Sequence, residues 1–477
     1  MRSWTALKTE TGKKNIKVGM IALGCAKNRV DAEVMLGILQ NSGYTITPRE
    51  EDADVIIINT CGFIDSAKQE AIDTIIEIGQ LKKKGSLKKI IVTGCLAQRY
   101  GREIVSSLPE VDGIVGIGGF GNIEAAVEAV LNEEKTVATV NEKTKEIAKK
   151  AGQICYYDDV KRLSLEYLDR ERVLTTPSSY AFLKIAEGCS NYCSYCAIPA
   201  IRGPFRSRRP ETVLAEARKL ALKGVSEIVV VAQDTTMYGT DINNGVSLLP
   251  ELLRGLEDIE EIKYIRILYL YPDEMTEEIM DAIASGRKVV PYFDIPLQHI
   301  SDDILKQMNR RGNGRLYRSV LEMFRKRMPD CVIRTSLITG FPGETEENHR
   351  ELLEFLEEFK LDKVGVFEYS KEEGTPAAKL KNQIPAATKK RRRKELMEAQ
   401  QRISFEKNQS RVGKVYDVVV DSVSEDGIFY VGRSYMEAPE EDGSIYFTAK
   451  DELSIGDVVR VKILVAEEYD LTGEQVD

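Results

Sequence analysis

Six of the eight cysteines fall into two arrangements that suit metal ligands. The denser is GCSNYCSYCAIP, where Cys189, Cys193 and Cys196 form a C-x3-C-x2-C run. Three thiolates can hold three irons of a [4Fe–4S] cluster and leave the fourth iron open to a non-protein ligand. An open iron suits the amino and carboxylate groups of S-adenosylmethionine, and an electron passed through it can break a carbon–sulfur bond. Zinc is the competing reading, but it wants a fourth Cys or His at a suitable spacing. The only histidines are His299 and His349, and neither is near the run in sequence.

The second arrangement is dispersed. Cys25 follows KVGMIALG, Cys61 follows DVIIINT and Cys95 follows KIIVTG, so each ends a predicted strand. If those strands share a parallel sheet, their carboxyl ends lie on the ligand-binding side and the three thiols should converge. Free cysteines are also common buried residues, so each alone would read as structural. Cys155 and Cys331 fit neither arrangement, and both histidines read as polar residues at a strand end or on a helix surface. Gln233 and Asp234 in VVVAQDTTMYG and Gln298 in DIPLQHI sit at predicted strand ends facing the same active site. Gly340 and Gly343 in RTSLITGFPGE let a backbone approach a ligand, or simply make a turn. Tyr195, inside the cysteine run, is placed to pack on an adenine.

The elements that must carry these residues follow from hydrophobic patterning. Residues 17–150 alternate short apolar runs with amphipathic stretches, the pattern of a doubly wound parallel sheet. Residues 1–16 read as a loose extension and 151–179 as a linker. Residues 180–410 repeat the alternation with six candidate strands: AFLKIAE, SEIVVVAQ, YIRILYLYP, YFDIPLQ, CVIRTSLITG and KVGVFEYS. Six such units imply a full or partial (β/α) barrel with its chemistry at the carboxyl ends of the strands. A helix rich in Lys and Arg closes this region. Its KKRRRK run, Lys389 to Lys394, reads as a solvated face before it reads as a nucleic-acid contact. Residues 411–477 show strand signals at short spacing and no helix, which favours a small antiparallel β-barrel. The fold class is α/β with this barrel appended.

Composition narrows the setting. The chain is 43% hydrophobic and 30% charged, with no apolar run of about 18 residues, so no membrane span is expected. The first sixteen residues lack a secretory core, and a reducing cytoplasm favours metal or redox roles for cysteine over disulfides. Charge is uneven: residues 413–477 hold five Lys/Arg against sixteen Asp/Glu, a net of -11 in a chain that totals -9. Such a module would repel a phosphate backbone and attract a basic protein, although acidity can serve solubility alone. Glu437, Glu440, Glu441 and Asp442 are the densest acidic group and the expected docking contacts.

The C-x3-C-x2-C run followed by AIPAIRGPFRSR, with LGCAKN, NTCGF and TGCLAQ, resembles the radical-SAM methylthiotransferases. The resemblance spans nearly the whole chain: an N-terminal methylthiotransferase domain, a radical domain and a C-terminal TRAM barrel. LGCAKNRVDAEVMLG, VAQDTTMYG, RILYLYP, PLQHISDDILKQMNRRG and YVGRSYMEAPEEDG are similar to the branch that modifies a ribosomal protein. Arg29, Ala32 and Glu441 depart from the usual residues of that branch, and none of the three is a cysteine. The resemblance implies two [4Fe–4S] clusters, on Cys25, Cys61 and Cys95 and on Cys189, Cys193 and Cys196, with S-adenosylmethionine bound at the second. It implies methylthiolation of the β-carbon of an aspartate in the twelfth small-subunit ribosomal protein. One S-adenosylmethionine would supply the methyl group and another the radical. A tRNA adenosine methylthiotransferase shares the chemistry, and a zinc- and RNA-binding module without catalysis is the rival of another class.

Overall fold

The computed structural model describes residues 15–132, 137–138, 154–156, 160 and 163–477. The predicted extension lies almost wholly outside these residues, as do parts of the predicted linker and the side chain of Cys155. The chain forms two compact units, the first running to Thr175 and taking in residues 187–190 and 196–204, the second comprising the rest. Among the described residues no helix is long and apolar enough to cross a membrane.

The first unit is built on seven parallel strands: β1 (Lys17–Ala22), β2 (Thr45–Ile46), β3 (Val55–Thr60), β4 (Lys89–Gly94), β5 (Gly113–Val115), β6 (Val137–Ala138) and β7 (Ile154–Tyr156). Their order is 2-1-3-4-5-7-6. The VIIINT sequence of β3 is buried throughout, as a central strand covered on both faces must be. The apolar runs that precede Cys25, Cys61 and Cys95 match β1, β3 and β4. β2, β6 and β7 carry too few alternating residues to stand out in sequence, and β7 draws residues 154–156 of the predicted linker into the sheet. The order reverses between β1 and β3, and at such a switch point the strand ends leave a crevice. Among the helices that start at the carboxyl edge are α1 (Ala26–Asn41) and α2 (Cys95–Ser107), and the short α3 (Ile198–Arg202) belongs to the same unit.

The second unit holds six parallel strands: β8 (Tyr180–Lys184), β9 (Glu227–Val231), β10 (Tyr264–Ile267), β11 (Tyr292–Asp294), β12 (Val332–Thr339) and β13 (Lys363–Glu368). They form two three-stranded sheets, 10-9-8 and 11-12-13, joined by a bridge between Ile265 and Val289. Among the described residues β8 and β13 are unpaired with each other, so the arc is a partial barrel. Two helices flank its last strands, α4 (Glu346–Phe359), opened by a Thr345–Asn348 capping box, and α5 (Ala386–Gln409). The basic run on α5 is largely tied down. Arg392 pairs with Glu344 and Glu346, Arg391 with Glu346 and Glu395, and Lys389 reaches the Tyr369 carbonyl.

The C-terminal strands β14 (Val415–Val423), β15 (Tyr430–Arg433), β16 (Ile445–Thr448), β17 (Val458–Ala466) and β18 (Leu471–Gln475) close into a barrel ordered 14-15-16-18-17. Four pairings are antiparallel and the β16–β18 pairing is parallel. A ring of five cannot alternate direction at every step, so one parallel pair is forced where an all-antiparallel barrel was expected.

The acidic segment after β15 corrects a second expectation. Glu437 is 2% exposed and accepts from the Ser434 backbone and hydroxyl. Glu440 accepts from Tyr180 at 2.8 Å, Glu441 pairs with Arg334 at 2.6 Å and Asp442 accepts from Tyr292 at 2.7 Å. Arg433 pairs with buried Glu227 at 2.7 Å, and Arg266 donates to the Tyr435 carbonyl at 2.8 Å. With Lys363 and Asp442 at 3.8 Å, every parallel strand of the partial barrel gives one residue to segment 433–442. These acids face partners within the chain, so they do not form a free docking patch.

Candidate functional site

The three dispersed cysteines lie at the carboxyl ends of adjacent strands. Cys25 caps α1 three residues past β1, Cys61 directly follows β3, and Cys95 follows β4 as the first residue of α2. A helix N-terminus favours a thiolate, and Cys25 and Cys95 each stand at one.

Hydrogen bonds stitch the three loops together. The Asn28 amide donates to the carbonyls of Leu23 and Thr60, each at 3.0 Å, and Asn59 donates to the Asn28 carbonyl at 2.7 Å. The Thr60 hydroxyl donates to the Thr93 carbonyl at 2.6 Å. Two glycines permit this approach in left-handed conformations. A Cβ on Gly24 would meet the Cys61 Cβ at 2.8 Å, and one on Gly94 would meet the Thr60 carbonyl at 2.4 Å.

The thiols act on one another. Burial pushes Cys61 up to about 12, and the nearby Cys95 and Cys25 push the same way. Burial also raises Cys95, against the opposing charge of Arg202. Burial would raise Cys25, yet the charges of Lys27 and Arg202 and two backbone N–H groups hold it below the ordinary thiol range. Among the described residues, no three Cys, His, Asp or Glu side chains meet at the spacing a single metal ion requires. A four-iron cube spreads its thiolates wider than one ion does, and three thiolates can hold it with one iron left open.

Beneath the thiols lies a charged network that sequence reasoning missed. Arg202, 1% exposed, donates to Asp31 at 3.1 Å and to Glu187 at 2.7 Å, and its other terminal nitrogen reaches the Asn28 side-chain oxygen. Cys95 Sγ lies 3.9 Å from that oxygen. Tyr167 donates to Asp31 at 3.2 Å, and Arg172 pairs with buried Glu33 at 3.0 Å. The available signal was one arginine and one aspartate, each six residues beyond a cysteine (Cys196 to Arg202, Cys25 to Asp31).

The C-x3-C-x2-C run leads from β8 toward α3, and Cys189 and Cys193 are buried. Within the second unit the Asn191 amide donates to Asp234 at 2.7 Å and Ser194 donates to the Gln307 carbonyl at 2.7 Å. Asp234 also accepts from the Thr236 hydroxyl and the Met237 N–H. Burial raises its carboxyl to about 6, with Asp273 pushing the same way against those three donors. Tyr195 packs against Ile304, Met308, Phe341, Tyr369 and Ala377.

Gln233 lies two residues past the end of β9, and Gln298, at φ 71°, bridges to Leu337 of β12. Gly340 ends β12 at positive φ, where a Cβ would meet the Lys389 stem at 2.3 Å. The Gly343 position faces the Gln307 amide at 3.1 Å. The close approach at both glycines is therefore by the protein's own side chains. Both histidines are buried, so His349 is not the helix-surface residue the sequence allowed: His299 accepts from the Ser301 N–H at 3.0 Å and His349 pairs with Glu395 at 2.6 Å. Cys331 is buried just ahead of β12.

Family models match three stretches: an uncharacterized protein family, UPF0004, at residues 17–116, the radical SAM superfamily at 183–356, and a TRAM domain at 412–476. A protein of Acetivibrio thermocellus named ribosomal protein uS12 methylthiotransferase RimO is 50% identical over 461 residues, covering 97% of this chain and 98% of its own length. One of the same name from Lachnoclostridium phytofermentans is 48% identical, covering 96% and 99%. The chain belongs to the RimO methylthiotransferase family. Members of the RimO family are radical-SAM enzymes, and this chain carries the three family domains. Its fold is similar to the radical S-adenosylmethionine methyltransferase TsrM of Kitasatospora setae, at TM-score 0.52, 14% identity and coverage of 73% and 72%. It is also similar to the cobalamin-dependent radical enzyme OxsB, at TM-score 0.50, 12% identity and coverage of 81% and 56%.

Proposed function

We propose that this chain methylthiolates the β-carbon of an aspartate in ribosomal protein uS12, acting in the cytoplasm where that substrate is made. Cys25, Cys61 and Cys95 would hold one [4Fe–4S] cluster, and Cys189, Cys193 and Cys196 a second that binds S-adenosylmethionine. What supports this reading is the position of three thiols at the ends of three adjacent strands, near enough to act on one another electrostatically, in a chain of this family. When bound, the clusters would supply the electron for cleavage of S-adenosylmethionine and a seat for the transferred sulfur.

The chain's own residues prepare both places. Asn28, Asn59 and Thr60 fix the spacing of the first trio. Asn191, held by Asp234, fixes the loop between Cys189 and Cys193. Tyr195, Gln233, Gln298 and Gly340 are the proposed contacts for S-adenosylmethionine. Residues 17–150, 180–410 and 411–477 would act as the methylthiotransferase, radical and TRAM domains, with the basic substrate drawn to the acidic barrel.

The test is anaerobic incubation of reconstituted enzyme with S-adenosylmethionine and either uS12 or tRNA, read by mass spectrometry. Modified uS12 supports the proposal, and modified tRNA with unmodified uS12 overturns it. Iron should reach about eight per chain and fall by half when either trio is replaced by alanine. Only loss of the second trio should abolish 5′-deoxyadenosine formation.

A further inference from the structure

Arg202 is the least explained group near the first three cysteines. A guanidinium 1% exposed is costly to bury, and it persists only where opposite charge surrounds it. Two carboxylates are in contact: Asp31, the sixth residue of α1, and Glu187, two residues ahead of Cys189. Its remaining terminal nitrogen shares the Asn28 side-chain oxygen with Cys95 Sγ, which places a permanent cation beside the thiols. Asp31 and Glu187 are in contact with it, the Tyr167 hydroxyl donates to Asp31, and the thiols of Cys25, Cys61 and Cys95 lie within electrostatic reach. Lys27, the residue before Asn28 on α1, adds a second positive charge near Cys25.

A cluster held by three thiolates carries negative charge that grows on reduction. Its potential is set by net charge, hydrogen bonds to sulfur and solvent exposure. A fixed buried cation lowers the cost of the added electron, because the low local dielectric strengthens the attraction.

We propose that Arg202 is a positioning residue that raises the reduction potential of the Cys25–Cys61–Cys95 cluster and ties the segment after Cys196 to that cluster's loops. The inference rests on the cluster assignment proposed above. Asp31 and Glu187 hold the guanidinium in place and temper its field, so removing one of them should have the opposite effect to removing the cation.

The experiment uses the full chain with Cys189, Cys193 and Cys196 replaced by alanine, so that a single cluster reports. Iron content and the midpoint potential are measured for this parent and for Arg202→Met, Arg202→Lys and Glu187→Gln in the same background. Arg202→Met should shift the potential to more negative values by at least a tenfold change in the reduction equilibrium, about 59 mV for one electron. Arg202→Lys should restore most of the shift, and Glu187→Gln should move the potential positively. If Arg202→Met takes up no iron, the lysine and Glu187 variants decide. Full iron with an unchanged potential in Glu187→Gln and in every Arg202 variant that binds iron overturns the inference. An iron-free parent instead overturns the cluster assignment beneath it.

Discussion

At the scale of single residues, backbone freedom and burial decide what the site tolerates. Gly94 sits at φ 93° and ψ -157°, a region open essentially to glycine, with the Thr60 carbonyl 2.4 Å from where a Cβ would stand. Gly94→Ala should lose about 2 kcal/mol or more of stability in a urea titration and should also reduce iron uptake, since Cys95 is the next residue. His299 gives a pH dependence. Burial holds its ring down to about 3, with His349 and Arg392 adding to the effect. Between its unfolded value of about 6.5 and that lower value, the unfolded chain takes up a proton that the folded chain refuses. Stability should therefore fall as pH drops through that window, by about 1.4 kcal/mol per unit as an upper figure. His299→Asn, which keeps an acceptor for the Ser301 N–H, should flatten the acid limb between pH 6 and 4. An equally steep limb in the variant would refute the assignment.

At the scale of elements, segment 433–442 acts as a plug at the amino-terminal ends of the parallel strands. Its strongest link is buried: Glu227 accepts from both Arg266 and Arg433 at 2.7 Å, and burial, which would raise its carboxyl, is outweighed by the two guanidiniums. Removing one partner leaves a buried charge uncompensated, a change that typically costs about 3–5 kcal/mol. Arg433→Met should fall near that range in denaturant titrations. The double variant with Glu227→Gln should cost less than the sum of the single changes, because the two side chains interact directly. Additive losses would show that the pair does not couple the barrel to the strands.

At the scale of the whole molecule, the acidic barrel has two populations of acid with different tasks. Glu440, Glu441 and Asp442 are engaged by Tyr180, Arg334 and Tyr292 although the first two are exposed, and Glu425, Asp451 and Glu452 make a second, exposed group. Reversing the exposed three to lysine should weaken binding of basic uS12, more so at low salt, with an unchanged melting temperature. Glu441→Lys should instead lower the melting temperature by placing a cation against Arg334. Unchanged uS12 affinity in the exposed-acid variant would show that the barrel's charge does not recruit the substrate.

The sequence by itself determined the local chemistry and the periods: the C-x3-C-x2-C run, the apolar runs that became β1, β3 and β4, the six strands of the partial barrel and the basic helix α5. It also placed Cys25, Cys61 and Cys95 at strand ends, because a strand followed by a helix is a short-range pattern. Only the tertiary structure decided that those ends are neighbours, since strand order is set by packing between segments far apart in the chain. The same holds for Arg202, whose partners Asp31 and Asn28 lie more than 170 residues away. Charge totals did not reveal which acids are free, because a count carries no geometry. Glu440, Glu441 and Asp442 are engaged by basic and hydroxyl groups that the parallel strands present at their amino-terminal ends, and Glu437 by Ser434 of its own segment.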